Sequence, residues 1–463
     1  MFPRTHDPDG FAAQAFPDLD LRDARLNRRF ARVARAALEH PADPLPDKFH
    51  DPAGYAGCLR LLHHPAVTRE ALLSCHQAAV LDRAERHAGV VLFVHDGTDL
   101  DYSGHATLAG ALGPIGNGGG RGYVCHNSLA VDPDTRAVLG LASQFLHRRA
   151  DVPPGEGVAA KRARPDRESR LWLRAVDEIG PAPAGRSWVH VADRGADGFE
   201  FLRGLADRKQ AFVIRSAQDR ALGAGPGAAR LHGWLRAQPV QAAWAVAVGA
   251  AAGRPARTAR VAACAHPVTL PPPRVRTGEY RPDPLPVWAV RVWEPDPPGG
   301  ADPLEWILLT SQPADTPDRL RAVVGYYECR PVIEEYHKGQ KTGAGIEKLQ
   351  LQDAASLRAA IALLSVVAVA LVNLRVAGRD AARAGEPAAR YVPAGWVRVL
   401  SVWRYRAARD LTVAEFSTAL ARLGGHLNRK ADGPPGWLTL WRGWERLHTI
   451  LEYELSRATC VEH

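Results

Sequence analysis

The stretch Gly89-Val-Val-Leu-Phe-Val94 runs directly into His95-Asp-Gly-Thr98 and is the clearest indication of the fold. Its five consecutive apolar residues, three of them valines, predict a strand that is buried in a sheet. Asp96 follows this run almost at once, so its carboxylate is expected at the carboxyl end of the strand. Open α/β sheets bind their ligands at that edge, and Asp96 is therefore a candidate functional residue.

The next part of the chain alternates between strand and helix patterns. Two strands, one helix and one short strand are predicted in order, over 123–131, 138–145, roughly 167–179 and Trp188-Val-His-Val-Ala192. Asp193 follows the last of these strands directly. The order of the elements predicts an α/β fold that carries an aspartate at the ends of two strands.

The length of 463 residues suggests roughly three domains. Helical patterns fill 1–75 and 346–463, and the α/β pattern fills 76–345. Within that middle part, 216–312 contains alternating stretches separated by Pro-rich loops, which predict a β-rich insertion. The predicted fold class is α/β, in an α+β multidomain arrangement.

Basic residues outnumber acidic ones by 59 to 50, which leaves a net charge of +9. This excess favours an anionic partner, and nucleic acid is the commonest such partner. A helix predicted over 21–40 places Arg25, Arg29 and Arg32 on its polar side, where they can lie along a phosphate backbone. A solvated face is an equally good interpretation of that helix, because nearly all basic residues in this chain are arginines.

No segment predicts membrane insertion or secretion. The longest nearly apolar run, 359–372, is interrupted by Ser365 and falls short of the roughly 20 residues that a spanning helix needs. No basic start followed by an apolar stretch indicates a secretory signal. The six cysteines form no CxxC pair, so neither a zinc ribbon nor a disulfide framework is predicted. We expect a cytoplasmic protein without a membrane partner.

The segment Tyr326-Tyr-Glu-Cys-Arg-Pro-Val-Ile-Glu-Glu-Tyr-His-Lys-Gly-Gln-Lys341 carries the strongest functional pattern. Pro331 suits the first turn of a helix, where its missing N–H costs nothing. Glu334, Lys338 and Lys341 then recur at i, i+4 and i+7, which predicts that they share one helix face. A solvated Glu–Lys stripe is the ordinary alternative, but apolar residues on the neighbouring faces predict a partly buried helix.

Asp96, Asp193 and Glu334 together suggest chemistry that none of them suggests alone. Three carboxylates from separate elements can hold two divalent cations about 4 Å apart, as phosphoryl-transfer sites require. Carboxylate and water ligands suit Mg²⁺ or Mn²⁺ rather than zinc. Each aspartate taken singly is more often a cap or turn residue, so only the combination predicts a catalytic site.

The spacing Tyr327-x2-Arg330-x3-Glu334-x6-Lys341 is similar to the Y-R-E-K signature of bacterial DDE transposases of the insertion-sequence-four family. The resemblance covers nearly the whole chain. Further matching segments are 21–26, 95–98, 113–122, 192–197, 306–311, 341–345 and 438–443.

This resemblance implies an RNase H-like catalytic core over 76–345, interrupted by the β-rich insertion. It implies that Asp96, Asp193 and Glu334 form the catalytic triad and bind two Mg²⁺ or Mn²⁺ ions. Residues that match DNA contacts in the family are Tyr327, Arg330, Lys338, Lys341, Arg194, Arg215 and Trp306. In relatives that cleave through a DNA hairpin, the tryptophan that Trp306 matches stacks on a flipped base.

The implied function is cut-and-paste DNA transposition, in which activated water nicks the element end and the freed 3′ hydroxyl then attacks DNA. The expected partners are double-stranded DNA, at terminal inverted repeats and target sites, and a second copy of the chain, in contact through 346–463. The expected location is the bacterial cytoplasm, on the nucleoid. Two alternatives remain: a catalytically silent DNA-binding protein or repressor derived from a transposase, and a metal-dependent nuclease without strand transfer.

Overall fold

The computed structural model describes residues 8–49, 51–151, 155–157, 160, 163–223, 228–248, 257–273, 280–298, 303–377, 383–429, 432 and 435–461. The helices are α1 Pro8–Ala15, α2 Ala24–Glu39, α3 Pro52–Leu62, α4 Arg69–Arg86, α5 Leu171–Ile179, α6 Phe199–Asp207, α7 Leu231–Arg236, α8 Pro317–Glu328, α9 Pro331–Lys338, α10 Ala354–Ala377, α11 Ala394–Tyr405, α12 Val413–Leu423 and α13 Trp437–Val461. The strands are β1 Val90–Asp101, β2 Gly113–Ile115, β3 Gly120–Val131, β4 Val138–His147, β5 Ser187–Ala192, β6 Ala211–Arg215, β7 Ala242–Val248, β8 Arg257–Leu270, β9 Leu285–Trp293 and β10 Glu305–Thr310.

The strands form one mixed sheet with helical regions before and after it. Their order is β2-β3-β1-β5-β6-β10-β9-β8-β7, and β4 pairs with β3 beside this path. The β1–β5 and β5–β6 pairs are parallel, and the other pairs are antiparallel. The prediction of a mixed α/β protein with helical ends is confirmed.

The strands of the predicted insertion continue the central sheet. β10 pairs with β6 in the register Leu308↔Arg215, and β9, β8 and β7 follow outward in turn. Both faces of the sheet are buried at its central strands. On β6, Val213 belongs to one apolar cluster, whereas Phe212 and Ile214 belong to another, because successive side chains point to opposite faces.

The prediction that Asp96 stands at a strand end is wrong. β1 continues to Asp101, because β3 remains its antiparallel partner as far as the pair Asp101↔Gly122. The parallel pairing with β5 nevertheless stops at His95↔Ala192, one residue before Asp96. Asp96 therefore lies where the parallel part of the sheet ends, although the strand itself goes on.

Helix α10 lies at the centre of the helical layer, against α2, α3, α4, β4 and α13. The helix is longer than the apolar run 359–372 in the sequence suggested. Among the described residues, Ala354–Leu374 forms a helix that is apolar and long enough to cross a membrane. Within the protein, however, 89% of its most apolar window is buried. A core helix can have the same length and composition as a spanning helix, so run length alone does not decide between them and the absence of a membrane partner stays a prediction.

Candidate functional site

Three elements position the three predicted carboxylates. Asp96 lies on β1, and Asp193 follows the last residue of the neighbouring parallel strand β5. The Asp193 side chain accepts a hydrogen bond from the Gly195 N–H at 2.8 Å, which fixes it at the start of a short 3₁₀ turn. Glu334 lies in the first turn of α9. Adjacent parallel strands and one helix thus bring carboxylates together from distant parts of the sequence.

The three carboxylates converge on one side chain, Arg330, between α8 and α9. Arg330 Nη2 lies 2.6 Å from Asp96 Oδ2 and 3.5 Å from Asp193 Oδ2. Arg330 Nη1 forms an ion pair with Glu334 Oε1, one helical turn further on. The structure therefore joins all four residues in one cluster, with the guanidinium at its centre.

Burial and charge shift the pKa values in this cluster. Burial raises the pKa of Asp96 to about 6; the Arg330 charge opposes this rise, and repulsion from Asp193 adds to it. Burial acts to lower the pKa of Arg330, but the three carboxylates outweigh it and raise that pKa. The guanidinium is thus firmly charged, whereas Asp96 is poised to take up a proton.

The arrangement does not accommodate a metal ion as it stands. The donor set is rich in carboxylates and suits a hard divalent cation. Within the part of the chain that the structure describes, however, no group of three His, Cys, Asp or Glu residues is positioned to hold a metal ion. The Arg330 guanidinium occupies the space between the carboxylates.

Aromatic and basic side chains form one wall beside the cluster. The Tyr327 and Trp306 rings meet edge to face, with their centroids 5.5 Å apart. Burial raises the pKa of Tyr327, against the effect of the nearby Arg215 and Arg330. Trp306 comes from β10 and Arg215 from the end of β6, and these strands are neighbours in the sheet. Their pairing brings the inserted strands to the carboxylate cluster.

The predicted lysines form ion pairs with carboxylates other than Glu334. Lys338 Nζ lies 3.7 Å from Glu335 Oε1, and Lys341 Nζ lies 3.3 Å from Glu347 Oε1. The α-helical spacing ends at Lys338, because a π-helical turn, Gly339–Gly343, follows α9. The prediction of one shared helix face across all three residues is therefore wrong beyond Lys338. π-Helical turns are frequent at functional sites.

The other predicted DNA contacts lie on two surfaces. Arg194 is exposed in the turn that follows Asp193. Arg25 and Arg32 are exposed on α2 in the N-terminal region, and Arg29 is half-buried there.

A fully buried network of polar side chains beneath the site was not predicted. Asn127 Nδ2 donates to Gln340 Oε1 at 3.2 Å, and Gln144 Nε2 donates to Asn127 Oδ1 at 2.9 Å. Gln144 Nε2 and Gln340 Nε2 each donate to Ser365 Oγ at 2.9 Å. Asn127 is the register partner of Asp96 on β3. The network ties the π-helical turn after Glu334 to the sheet and to α10. Its one signal in the sequence is Ser365 inside an apolar run.

A cleft of about 260 Å³ opens beside Asp96 and Asp193. Trp172, His126 and Arg149 are among its other lining residues. Burial lowers the pKa of His126 to about 3, so this imidazole is neutral. No sequence pattern singled out these three residues.

Fold and site together describe a mixed α/β protein that carries a carboxylate cluster at the end of its parallel strands. Residues 8–67, which span α1, α2 and α3, match the family model for transposase DNA-binding domains. The chain therefore carries a transposase DNA-binding domain at its N-terminus, which supports a role as a transposase and DNA as its partner.

Proposed function

We propose that the chain is a DDE transposase that performs metal-dependent cut-and-paste transposition of an insertion sequence. The observation that carries this proposal is the convergence of Asp96, Asp193 and Glu334 on a single cationic centre. A structural role alone does not require three carboxylates from three separate elements at one point. The N-terminal transposase DNA-binding domain supplies independent support.

The sheet supports an RNase H-like interpretation of the central region, and with it the resemblance to the insertion-sequence-four family. The proposed catalytic aspartates lie at the end of the parallel pairing between β1 and β5. The proposed insertion, β7 to β10, comes between Asp193 and Glu334 in the chain. This is the order that the resemblance implies.

The proposed cofactor is Mg²⁺ or Mn²⁺, with two ions in each active site. Such ions supply an activated nucleophile and charge neutralisation in phosphoryl transfer. The arrangement with Arg330 between the carboxylates does not accommodate these ions. The role of Asp96, Asp193 and Glu334 is to gather positive charge at the scissile phosphate.

The remaining proposed roles concern DNA. Tyr327, Arg215 and Trp306 form a wall next to the carboxylates and would contact the element end, Trp306 by stacking. Basic residues further out, either exposed or half-buried, would meet phosphates, namely Arg194, Lys338, Lys341, Arg25, Arg29 and Arg32. We propose that the protein acts as a homodimer that pairs two inverted repeats, in the bacterial cytoplasm on the nucleoid.

The test uses purified full-length protein and DNA that carries its own gene with several hundred flanking base pairs. After addition of Mg²⁺, every new strand end is mapped. Paired breaks at inverted repeats that bracket the gene are expected. Glu334→Gln should abolish them, and Glu335→Gln is the matched control, because Glu335 pairs with Lys338 outside the cluster.

Other results would replace the proposal. Scattered nicks that Glu334→Gln abolishes would identify a nuclease without strand transfer. Specific binding without any cleavage, in both wild type and Glu335→Gln, would identify a silent DNA-binding protein.

A further inference from the structure

The Arg330 guanidinium occupies the point at which the three proposed catalytic carboxylates meet. Its Nη2 atom lies 2.6 Å from Asp96 and 3.5 Å from Asp193, and Nη1 pairs with Glu334. Only 13% of the side chain is exposed. Any other cation held by these carboxylates would need the same space.

We infer that Arg330 keeps divalent metal ions out of the carboxylate cluster until a DNA phosphate draws its guanidinium away. The inference rests on the proposed function and concerns the regulation of the same site. It assigns Arg330 two alternative partners: carboxylates in the free protein and a phosphate in the DNA complex.

The guanidinium and a metal ion compete for the same oxygen atoms. Mg²⁺ requires carboxylate or water oxygens at about 2.1 Å in near-octahedral geometry. Asp96 Oδ2 and Asp193 Oδ2 both face Arg330 Nη2 at present. An ion bound to either oxygen would lie within a few ångströms of a fixed positive charge, where repulsion in a half-buried site is strong.

The contacts of Arg330 also allow it to leave. Its Nε is buried, and among the described residues it has no hydrogen-bond partner, so the terminal nitrogens make the contacts that hold the guanidinium. A phosphate can accept two parallel hydrogen bonds from one guanidinium. The three carboxylates lie in different directions and do not offer Arg330 such a paired contact. The swing requires only side-chain rotation, since Arg330 stays at the start of α9.

The charge of the cluster fits an exchange of cations. Three carboxylates against one guanidinium leave a formal charge of −2, so the cluster still attracts cations while Arg330 is in place. Once a phosphate has taken Arg330, the charge becomes −3 and the central space is open. Metal binding would therefore follow DNA binding, and the free protein would lack the ions needed to cut DNA.

The test measures Mn²⁺ binding by the DNA-free, full-length protein, with electron paramagnetic resonance reporting the free aquo ion. Arg330→Gln should bind Mn²⁺ more tightly than wild type, on the order of tenfold, because one positive charge and its hydrogen bonds are removed. Arg319→Gln is the matched control, because Arg319 lies on α8 and forms an exposed pair with Asp315, outside the cluster. It loses the same charge and should bind Mn²⁺ like wild type. Asp96→Asn should weaken binding in every background.

Duplex DNA provides a second arm of the test. Saturating DNA should raise the Mn²⁺ affinity of wild type and leave that of Arg330→Gln nearly unchanged. If Arg330→Gln does not fold, as judged by circular dichroism, Arg330→Lys takes its place. A lysine cannot reach all three carboxylates at once, so that variant should also bind Mn²⁺ more tightly than wild type.

Two results would overturn the inference, and only the second would also overturn the proposed metal site. Equal Mn²⁺ affinity of wild type and the Arg330 variants, with binding that depends on Asp96, would remove the role of Arg330 and leave the metal-dependent function standing. Mn²⁺ binding that is insensitive to Asp96→Asn in every sample, with and without DNA, would overturn the proposed metal site itself.

Discussion

Trp306 meets Tyr327 edge to face beside the carboxylate cluster, and part of its indole remains exposed. A base that leaves the duplex beside the cluster would find this ring available for stacking. Stacking of one base on an aromatic side chain contributes about 1–3 kcal/mol. We expect Trp306→Ala to weaken binding of DNA with an unpaired end about tenfold and to spare fully paired DNA, as measured by fluorescence anisotropy.

Trp306→Phe keeps a stacking ring and serves as the control for this prediction. It should retain most of the affinity for the unpaired end. An equal loss of affinity for paired and unpaired DNA would show that Trp306 supports the wall of the site and does not contact a base.

At the level of single residues, the carboxylates were predictable and the guanidinium was not. Asp193 directly follows the apolar strand β5, and Asp96 comes just after the apolar run that opens β1, although β1 itself continues to Asp101. Positions next to an apolar run are visible in a sequence. Arg330 was expected to face a DNA phosphate, whereas the structure places it against three carboxylates. The sequence cannot distinguish these two partners, because both are anions and the choice depends on which one is present.

Among the elements, the π-helical turn Gly339–Gly343 depends most on buried hydrogen bonds. Gln340 from this turn donates to Ser365 on α10 and accepts from Asn127 on β3, and all three are fully buried. Gln340→Leu would leave the Asn127 amide without its acceptor, which costs about 1–3 kcal/mol. We expect that loss of unfolding free energy in urea denaturation.

Gln352→Leu makes the same chemical change at an exposed position between this turn and α10. It should change the free energy of unfolding by less than about 0.5 kcal/mol. Equal losses in the two variants would show that the network adds nothing to stability.

The sequence predicted strands and helices correctly where a short local pattern of apolar residues indicates them. The helix predicted over 21–40 is α2, Ala24–Glu39, because apolar residues recur at helical spacing and Asp23 caps its start. The spacing after Glu334 failed at the π-helical turn, which a buried network stabilises. Directly hydrogen-bonded members of that network lie up to 221 residues apart in the chain, so no local pattern could reveal it.

Across the whole molecule, buried neutral histidines make stability depend on pH. Burial lowers the pKa of His76 and His190 to about 4, and that of His126, His337 and His448 to about 3. As pH falls below about 6.5, the unfolded chain takes up protons at these positions while the native protein does not, so the free energy of unfolding falls.

Two carboxyl groups oppose this trend. Burial raises the pKa of Glu445 to about 7 and that of Asp96 to about 6, so acidification through this range favours their native, protonated forms. Five histidines outweigh two carboxyls, because their pKa shifts are of similar size and they are more numerous. We therefore expect the melting temperature to be clearly lower at pH 5 than at pH 7.5, as measured by calorimetry.

His448→Phe isolates one contribution to this acid sensitivity. His448 packs against Trp396 and Trp444, both at 4.9 Å between ring centroids, so a phenyl ring finds an aromatic environment there. The variant should lose about 2 kcal/mol less stability than wild type between pH 6.5 and pH 5, since one proton no longer binds the unfolded chain. An unchanged pH dependence would mean that His448 is protonated in the native protein.

The burial of α10 has a consequence for the order of events on the ribosome. Part of its cover is α13, where Trp437, Leu440 and Trp444 share an apolar cluster with Leu371. Trp437 is synthesised 60 residues after Ala377, the last residue of α10. At a synthesis rate of about 5–20 residues per second, the apolar helix α10 is made several seconds before the part of α13 that packs against it. During that interval the exposed apolar helix is open to aggregation and to binding by chaperones, so folding of the nascent chain depends on how soon α13 packs against it.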